Sequence, residues 1–432
     1  MRKIKELIKR ILGVERIQKI KGFLAHCPYV IKKISNHDLG LEVFSDRVHI
    51  KSVLEAEGYH VYRGYYDIDY LDIEKNRFLC HRLPLNAENN RTTKCEVGFY
   101  NLNDLSFHKA ADTNAWCWQQ GSRLRWHPVL KDRILYNDAS DGHYCCRVVN
   151  IDNDICEQVI DRALYDITPD LKYGLSLNYS RLQRLRPGYG YNYFEDVTKG
   201  ENAPKNDGVF LVDIAANQSR LLYSLASLSE AVDPELRCAH YINHISVAPD
   251  GEHFIFFHIY VDPQVSGWKT VLYVSDLQGK KLSVLEKDDR VSHYCWLNNT
   301  TILVTCIHKE SGSSQEYYCT YDVISGKKTR LSHAGLNKDG HPGRFPDSDV
   351  CITDTYPQVH DMNRQSVLMF SLNGKDVQKV ASIYHDYRLV EEKRCDLHPS
   401  IGDGGNIISV DSTFRGGKRS VVLMEMESEN GK

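Results

Sequence analysis

A seven-bladed β-propeller preceded by a basic amphipathic helix is the fold class this sequence predicts, and three observations carry it. From about residue 45 onward, short β-rich runs alternate with turn clusters and little helical periodicity is sustained. Turns dividing paired runs fall near Glu74-Lys75-Asn76, Lys131-Asp132, Pro169-Asp170, Pro249-Asp250-Gly251, Asn298-Asn299, Pro346-Asp347 and Gly402-Asp403-Gly404, most of them roughly 40 to 60 residues apart. A further strand pair follows each hairpin, as in VFLVDIAANQSRLLYSL, VLYVSDLQGKKLSVL, EYYCTYDVISGKKTRL and VLMFSLNGKDVQKVASI. Four strands per unit and seven units describe a propeller, which leaves only short, protected sheet edges.

The elements follow in order. Residues 1–44 form a helical segment in which Ile4, Leu7, Ile8, Ile11, Leu12, Ile17, Ile20 and Leu24 recur at helix spacing among Lys and Arg. Pro28 and Ser35-Asn36 end it. Such a helix lies on an anionic membrane surface or packs on a domain or partner protein, and the sequence leaves both open. Residues 45–432 form the propeller, with an early strand, Tyr59 to Arg63, expected to complete the last blade. The interval between the Pro169 and Pro249 turns holds a long loop, Gln183 to Asp207.

Composition excludes several classes. The chain has 432 residues, 42% hydrophobic and 26% charged, enough to bury a large core. Residues 1–34 carry ten Lys or Arg against Glu6 and Glu15, a net of +8; with −3 overall, the rest holds −11. An acidic body argues against nucleic-acid binding. Thirteen scattered cysteines, an odd number with no C-x-x-C, fit a reducing, cytoplasmic setting rather than a disulfide framework or a zinc knuckle. Charges interrupt every apolar run short of a membrane span. Phosphate-loop, H-E-x-x-H and G-x-S-x-G motifs are missing, which sets aside nucleotide-driven and serine-hydrolase chemistry.

The histidines give the propeller a chemical meaning. In HYINHISVAPDGEHFIFFHIY, reflection about the Pro249-Asp250-Gly251 turn brings His244 and His258 together. The plan returns as His127 with Asp138, His341 with Asp354, His398 with Asp411 and, more loosely, His293 with His308. If first strands line the axis, His127, His244, His293, His341 and His398 share one ring, beside Asp138, His258, Asp354 and Asp411. Such a ring binds a metal, moves protons or binds a polar ligand; a hydrogen-bonding histidine kept in every repeat would look the same.

The motifs WCWQQGSRLRWHP, NHISVAPDG with FIFFH, DGHP followed by TDTYP, and CDLHP followed by VDST resemble the TolB-like propellers, and among them the oligogalacturonate lyases, over roughly residues 65 to 427. The resemblance implies a cytoplasmic seven-bladed lyase that cleaves short uronic-acid oligosaccharides by β-elimination, with a divalent, manganese-like metal held by histidines and a histidine base. His398 matches the last histidine-proline motif. Asp396 stands where that family has a second histidine, and nothing around Lys393 matches its ligand glutamine. The expected ligand set is His293, His341, Asp396 and His398. His258 is the expected base and His244 the alternative, with Arg123 or Arg125 neutralising a carboxylate. Gln119, Gln120, Arg125, His127, Arg184, Tyr191, Asp354 and Asp411 complete the expected substrate contacts. Near the long loop, Arg181, Arg184 and Arg186 precede Tyr189, Tyr191 and Tyr193, whose rings can stack on sugar faces. The long basic N-terminus departs from that family and suggests work near a membrane surface. A noncatalytic protein that binds an acidic polysaccharide, or assists assembly of a surface polysaccharide at the membrane, is the alternative to a lyase.

Overall fold

The computed structural model describes residues 13–36, 40–261, 267–310, 313–402 and 404–427. The predicted helix positions Ile4 to Leu12, and Asp403 of the last turn, lie outside them. Among the described residues, one helix, α1 (Val14–Asn36), precedes seven antiparallel sheets. Each sheet is one blade, and each innermost hairpin turns where the sequence places it. Blade one runs from Tyr59 to Thr113, blade two from Arg125 to Ile160, and blade three from Asp166 to Ser224. Blade four runs from His240 to Glu286 and blade five from Arg290 to Arg330. Blades six and seven span Gly343–Tyr384 and Ser400–Met426, and each borrows an N-terminal strand on its outer edge.

Ring closure differs from the sequence expectation. Tyr59–Tyr62 pairs with Arg77–Pro84 inside blade one. The strand that completes blade seven is Val48–Leu54, which pairs with Ser420–Met426, while Leu41–Val43 edges blade six against Val377–Tyr384. Burial explains the choice. Val61 and Tyr62 are fully enclosed, as an inner strand must be, whereas Val48–Leu54 buries its ends and exposes its middle, the pattern of an edge.

Blade faces pack on one another, so central strands lose the usual alternation. Val421, Val422, Leu423 and Met424 are all fully buried in succession. Two clusters follow from this: one joins blades three to five around Phe254, Phe256 and Tyr273, and another seals the closure around Ile408, Val410 and Val422.

Between its two inner pieces, blade one sends residues 63–70 along the axis. Gly64 makes this passage feasible: its φ is +118°, and a Cβ there would stand 3.0 Å from the Gln120 carbonyl oxygen. Arg63, fully buried, anchors the segment. It donates to the Ser400 and Ser409 hydroxyls and to the Leu397 and His398 carbonyls, and its backbone N–H donates to Asp411. The first blade is thereby tied to the last at the centre as well as at the rim.

Leu423 sits at the closure between Ser52 and Ser409 with no exposed surface. Leu423→Ala is expected to cost about 2–5 kcal/mol, measured by denaturant unfolding. A loss below ~1 kcal/mol would show that this strand lies outside the cooperative unit.

Candidate functional site

Four of the predicted histidines converge at the axis, His341 and His398 just before the innermost strands of blades six and seven and His244 and His293 within those of blades four and five. Ring centroids are 4.0 Å apart for His293 and His341, 4.3 Å for His341 and His398, and 5.9 Å for His244 and His293. Local backbone irregularity aims them. His244 and His398 adopt left-handed conformations, with φ of 51° and 48°, and pairing shifts register around His244 and again beside His293. The axial segment fills the space inside the ring. Tyr65 stacks on His244 at 5.5 Å and meets His398 edge-on at 4.8 Å, while Tyr66 lies 5.2 Å from His341.

Three of the imidazoles are held in one tautomer by oxygen acceptors behind them. His293 Nδ1 donates to Asp339, His341 Nδ1 to Asp354, and His398 Nδ1 to the Gly64 carbonyl. Their Nε2 lone pairs therefore point away from those anchors; for His341 and His398 the Nε2 atoms are buried without a hydrogen-bond partner among the described residues. Asp396 joins them, and ligand atoms of His341, Asp396 and His398 lie within 4.8 Å of one another. Burial opposes the charge on Asp396, but Arg394, which donates to both its oxygens, holds the carboxyl well below its usual range. Burial also opposes protonation of His341, yet Asp354 outweighs it and raises that pKa. Burial, then His341, push His293 and His398 the other way. Buried orphaned nitrogens backed by a carboxylate at His341 and a carbonyl at His398 suit a cation.

A cavity of about 190 Å³ opens above this ring. His244 and His293 form its floor, and Tyr189, Trp268 and Tyr356 contribute its aromatic walls. Two cations stand over Trp268: the Arg186 and Arg290 guanidinium carbons are each 4.4 Å from its ring centroid. Arg290 Nε is buried without a hydrogen-bond partner among the described residues. Guanidiniums held by an indole and lacking, among the described residues, a carboxylate partner are prepared for an anionic ligand. His244 Nδ1 is 3.4 Å from the Tyr65 hydroxyl. Burial, reinforced by His293 and His341, sets its pKa well below the ordinary histidine value, so the ring is neutral near pH 7.

The other predicted residues are placed differently. His258 leaves the ring, because the bulge at His244 breaks the mirror symmetry and pairs Ile242 with His258. It lies inside blade four, hydrogen-bonded to His240, which reaches Asp233, and burial pushes its pKa down to about 3. Arg123 is buried against Asp67 by two parallel hydrogen bonds and over the Tyr165 ring. Arg125 pairs with Asp166. Together with His127 it lines a second cavity, of about 300 Å³, at the far end of the channel. His127 misses the ring because its histidine-proline pair sits at the hairpin, where the ring N accepts from Val129 and Leu130 N–H, rather than at a strand start. Gln119 donates to the Glu392 and Arg394 carbonyls, and Gln120 to Tyr165. Arg184 pairs with Asp196, and Tyr191 is buried against Tyr179. Asp354 and Asp411 lie beneath the ring, one holding His341 and the other Arg63.

Arg290, Trp268, Asp339 and Tyr356 escaped the sequence reading. Arg290 is three positions before His293, which strand alternation would send to the opposite face; the register shift between Val291 and His293 returns it to the cavity. Asp339 and Tyr356 are residues of the DGHP and TDTYP motifs themselves, so membership of those motifs was the available signal.

By superposition, the chain is similar to an oligogalacturonate lyase in complex with manganese, with a TM-score of 0.61 and 13% identity over 91% of this chain and 97% of that one. In fold, the chain is oligogalacturonate lyase-like. The β-propeller domain of the Trilobed protease from Pyrococcus furiosus is a looser match, at TM-score 0.48 and 9% identity over 87% of this chain and 98% of that one. TolB from Acinetobacter baumannii matches at 0.37 and 14% identity, over 82% and 81% of the two chains. No family model matches the chain, and no match was found among curated proteins.

Asp354→Asn removes the carboxylate behind His341, and wherever the wild-type cluster takes up Mn²⁺ in a calorimetric titration, the variant is expected to bind it about 10–100-fold more weakly. Equal affinity in both proteins would take Asp354 out of the site.

Proposed function

We propose that the axial cavity binds an acidic saccharide and cleaves it by β-elimination, with His244 as base and a divalent metal on His341, Asp396 and His398, joined by His293. The observation that carries this reading is that the orphaned nitrogens of His341 and His398 adjoin, through the His293 ring, a cavity lined by a neutral His244 and by two guanidiniums without carboxylate partners among the described residues. The oligogalacturonate lyase of matching fold, solved with manganese, supports it.

The residues divide the work by position. Arg186 and Arg290 seat a uronate carboxylate, and Trp268 holds both guanidiniums in place. Tyr189 and Tyr356 offer faces for sugar rings. A bound divalent metal would supply a Lewis acid that makes the proton next to the carboxylate more acidic. His244 Nε2, opposite the nitrogen facing Tyr65, takes that proton. The electron pair left on carbon becomes a double bond as the neighbouring glycosidic C–O bond breaks. Asp339 and Asp354 keep His293 and His341 oriented throughout.

One observation favours binding without turnover. Both Asp396 oxygens are engaged by Arg394, at 2.7 and 2.6 Å, in competition with a metal. Turnover separates the two readings. The protein with Mn²⁺ is expected to release an ultraviolet-absorbing unsaturated uronate from uronic-acid oligomers, oligogalacturonate among them. His244→Ala should lower kcat by about 10²–10⁴ while leaving metal content unchanged. Saccharide binding with no unsaturated product from any uronic-acid oligomer would leave the noncatalytic reading.

A further inference from the structure

The helix α1 has two different faces. At 100° per residue, Gln18, Gly22, Ala25 and His26 share the side that meets the propeller. Gly22 approaches so closely that a Cβ would come within 2.5 Å of Tyr387 Cβ, Ala25 is buried, and the His26 ring lies 4.6 Å from that of Tyr387. The opposite side presents Ile20, Phe23 and Leu24, which are 50%, 52% and 64% exposed and contiguous. Arg16 extends this stripe, and the exposed Lys19 and Lys21 lie along its two edges. An apolar centre bordered by long cationic side chains is the arrangement of a helix lying in a lipid headgroup layer. No helix of the described residues is long and apolar enough to cross a membrane.

Two further facts choose the occupant and the orientation. Residues 1–34 carry +8 and the rest of the chain −11, so an anionic surface attracts this end of the molecule and repels the remainder. Between α1 and the propeller runs a groove of about 230 Å³, bordered by Gln18, Lys21 and Gly22 on one side and by Tyr356 and Arg394 on the other. Tyr356 and Arg394 also line the axial cavity. The helix therefore stands at the rim of the cavity that holds the histidines.

We propose that α1 docks flat on an anionic lipid surface through Ile20, Phe23 and Leu24, with Arg16, Lys19 and Lys21 among the headgroups. Docking turns the mouth of the axial cavity toward the membrane, and its ligand is an acidic glycan attached to or gathered at that membrane. The ligand half rests on the saccharide reading above; the docking half does not.

The test uses the full chain and vesicles of phosphatidylcholine alone or mixed equally with phosphatidylglycerol. Sedimentation with the mixed vesicles only, reversed by high salt, is the expected result. Ile20→Glu with Leu24→Glu, which leaves Phe23 against Tyr387, should lower partition at least about tenfold. Equal sedimentation with both vesicle types, none with either, or an unchanged double variant would overturn docking. Should the wild type ignore vesicles and the double variant run at a smaller mass, the stripe joins proteins and the proposal falls. For the ligand half, a lipid-anchored uronic-acid oligomer should be turned over faster than the free oligomer by the wild type and not by the double variant. Equal rates would overturn the orientation. No turnover of either would count against the lyase reading while the vesicle result stands.

Discussion

The carboxylate of Asp354 is the constraint on which the centre of this molecule depends. Its two oxygens accept the backbone N–H groups of His341 and His398, at 2.8 and 3.0 Å, and the Nδ1 proton of His341. One buried anion thus fixes the starts of two adjacent innermost strands and the tautomer of an imidazole between them. In a propeller, neighbouring blades otherwise meet through non-directional apolar packing. A charge-assisted hydrogen-bond set supplies the direction that packing lacks, and it does so within reach of the cavity. The cost of burying Asp354 is offset only because every contact is made at once.

The axial segment adds a second constraint. Arg63 ties it to blade seven, the Gly64 carbonyl orients His398, and Tyr65 and Tyr66 fill the ring from within. Below them Asp67 engages Arg123. The two ends of the channel consequently have different chemistry. One gathers imidazoles, guanidiniums and aromatic faces; the other holds Arg125 and His127 beside Asp69 and Trp126. A channel continuous from end to end would leave the histidines in water and free to rotate. The tyrosine plug makes them a dry, preorganised floor.

Much of this was legible in the sequence because repeats put equivalent residues at equivalent places. Strand runs and turn clusters located seven inner hairpins, and a histidine recurring before each of four inner turns located His244, His293, His341 and His398, although the first two sit within their strands rather than opening them. What failed was whatever depended on side-chain parity across an irregular strand. Mirror reflection brought His258 to His244, but the bulge at His244 shifts the pairing by enough to turn His258 into the blade. The same device hid Arg290. Nor does spacing distinguish an arginine free for a ligand from one already paired: Arg123 and Arg125 looked poised for a carboxylate and have protein carboxylates, Asp67 and Asp166. Closure was misread because Tyr59–Tyr62 and Val48–Leu54 are both short β-formers, and only burial separates an inner from an outer strand.

The most direct measurement is anomalous diffraction from crystals of the protein soaked in Mn²⁺. A peak within bonding distance of His341 Nε2 and His398 Nε2, with Asp396 turned toward it, is the expected result. An ordered ring with no peak, Asp396 still held by Arg394, or a peak only elsewhere on the molecule, would contradict a metal centre at the axis.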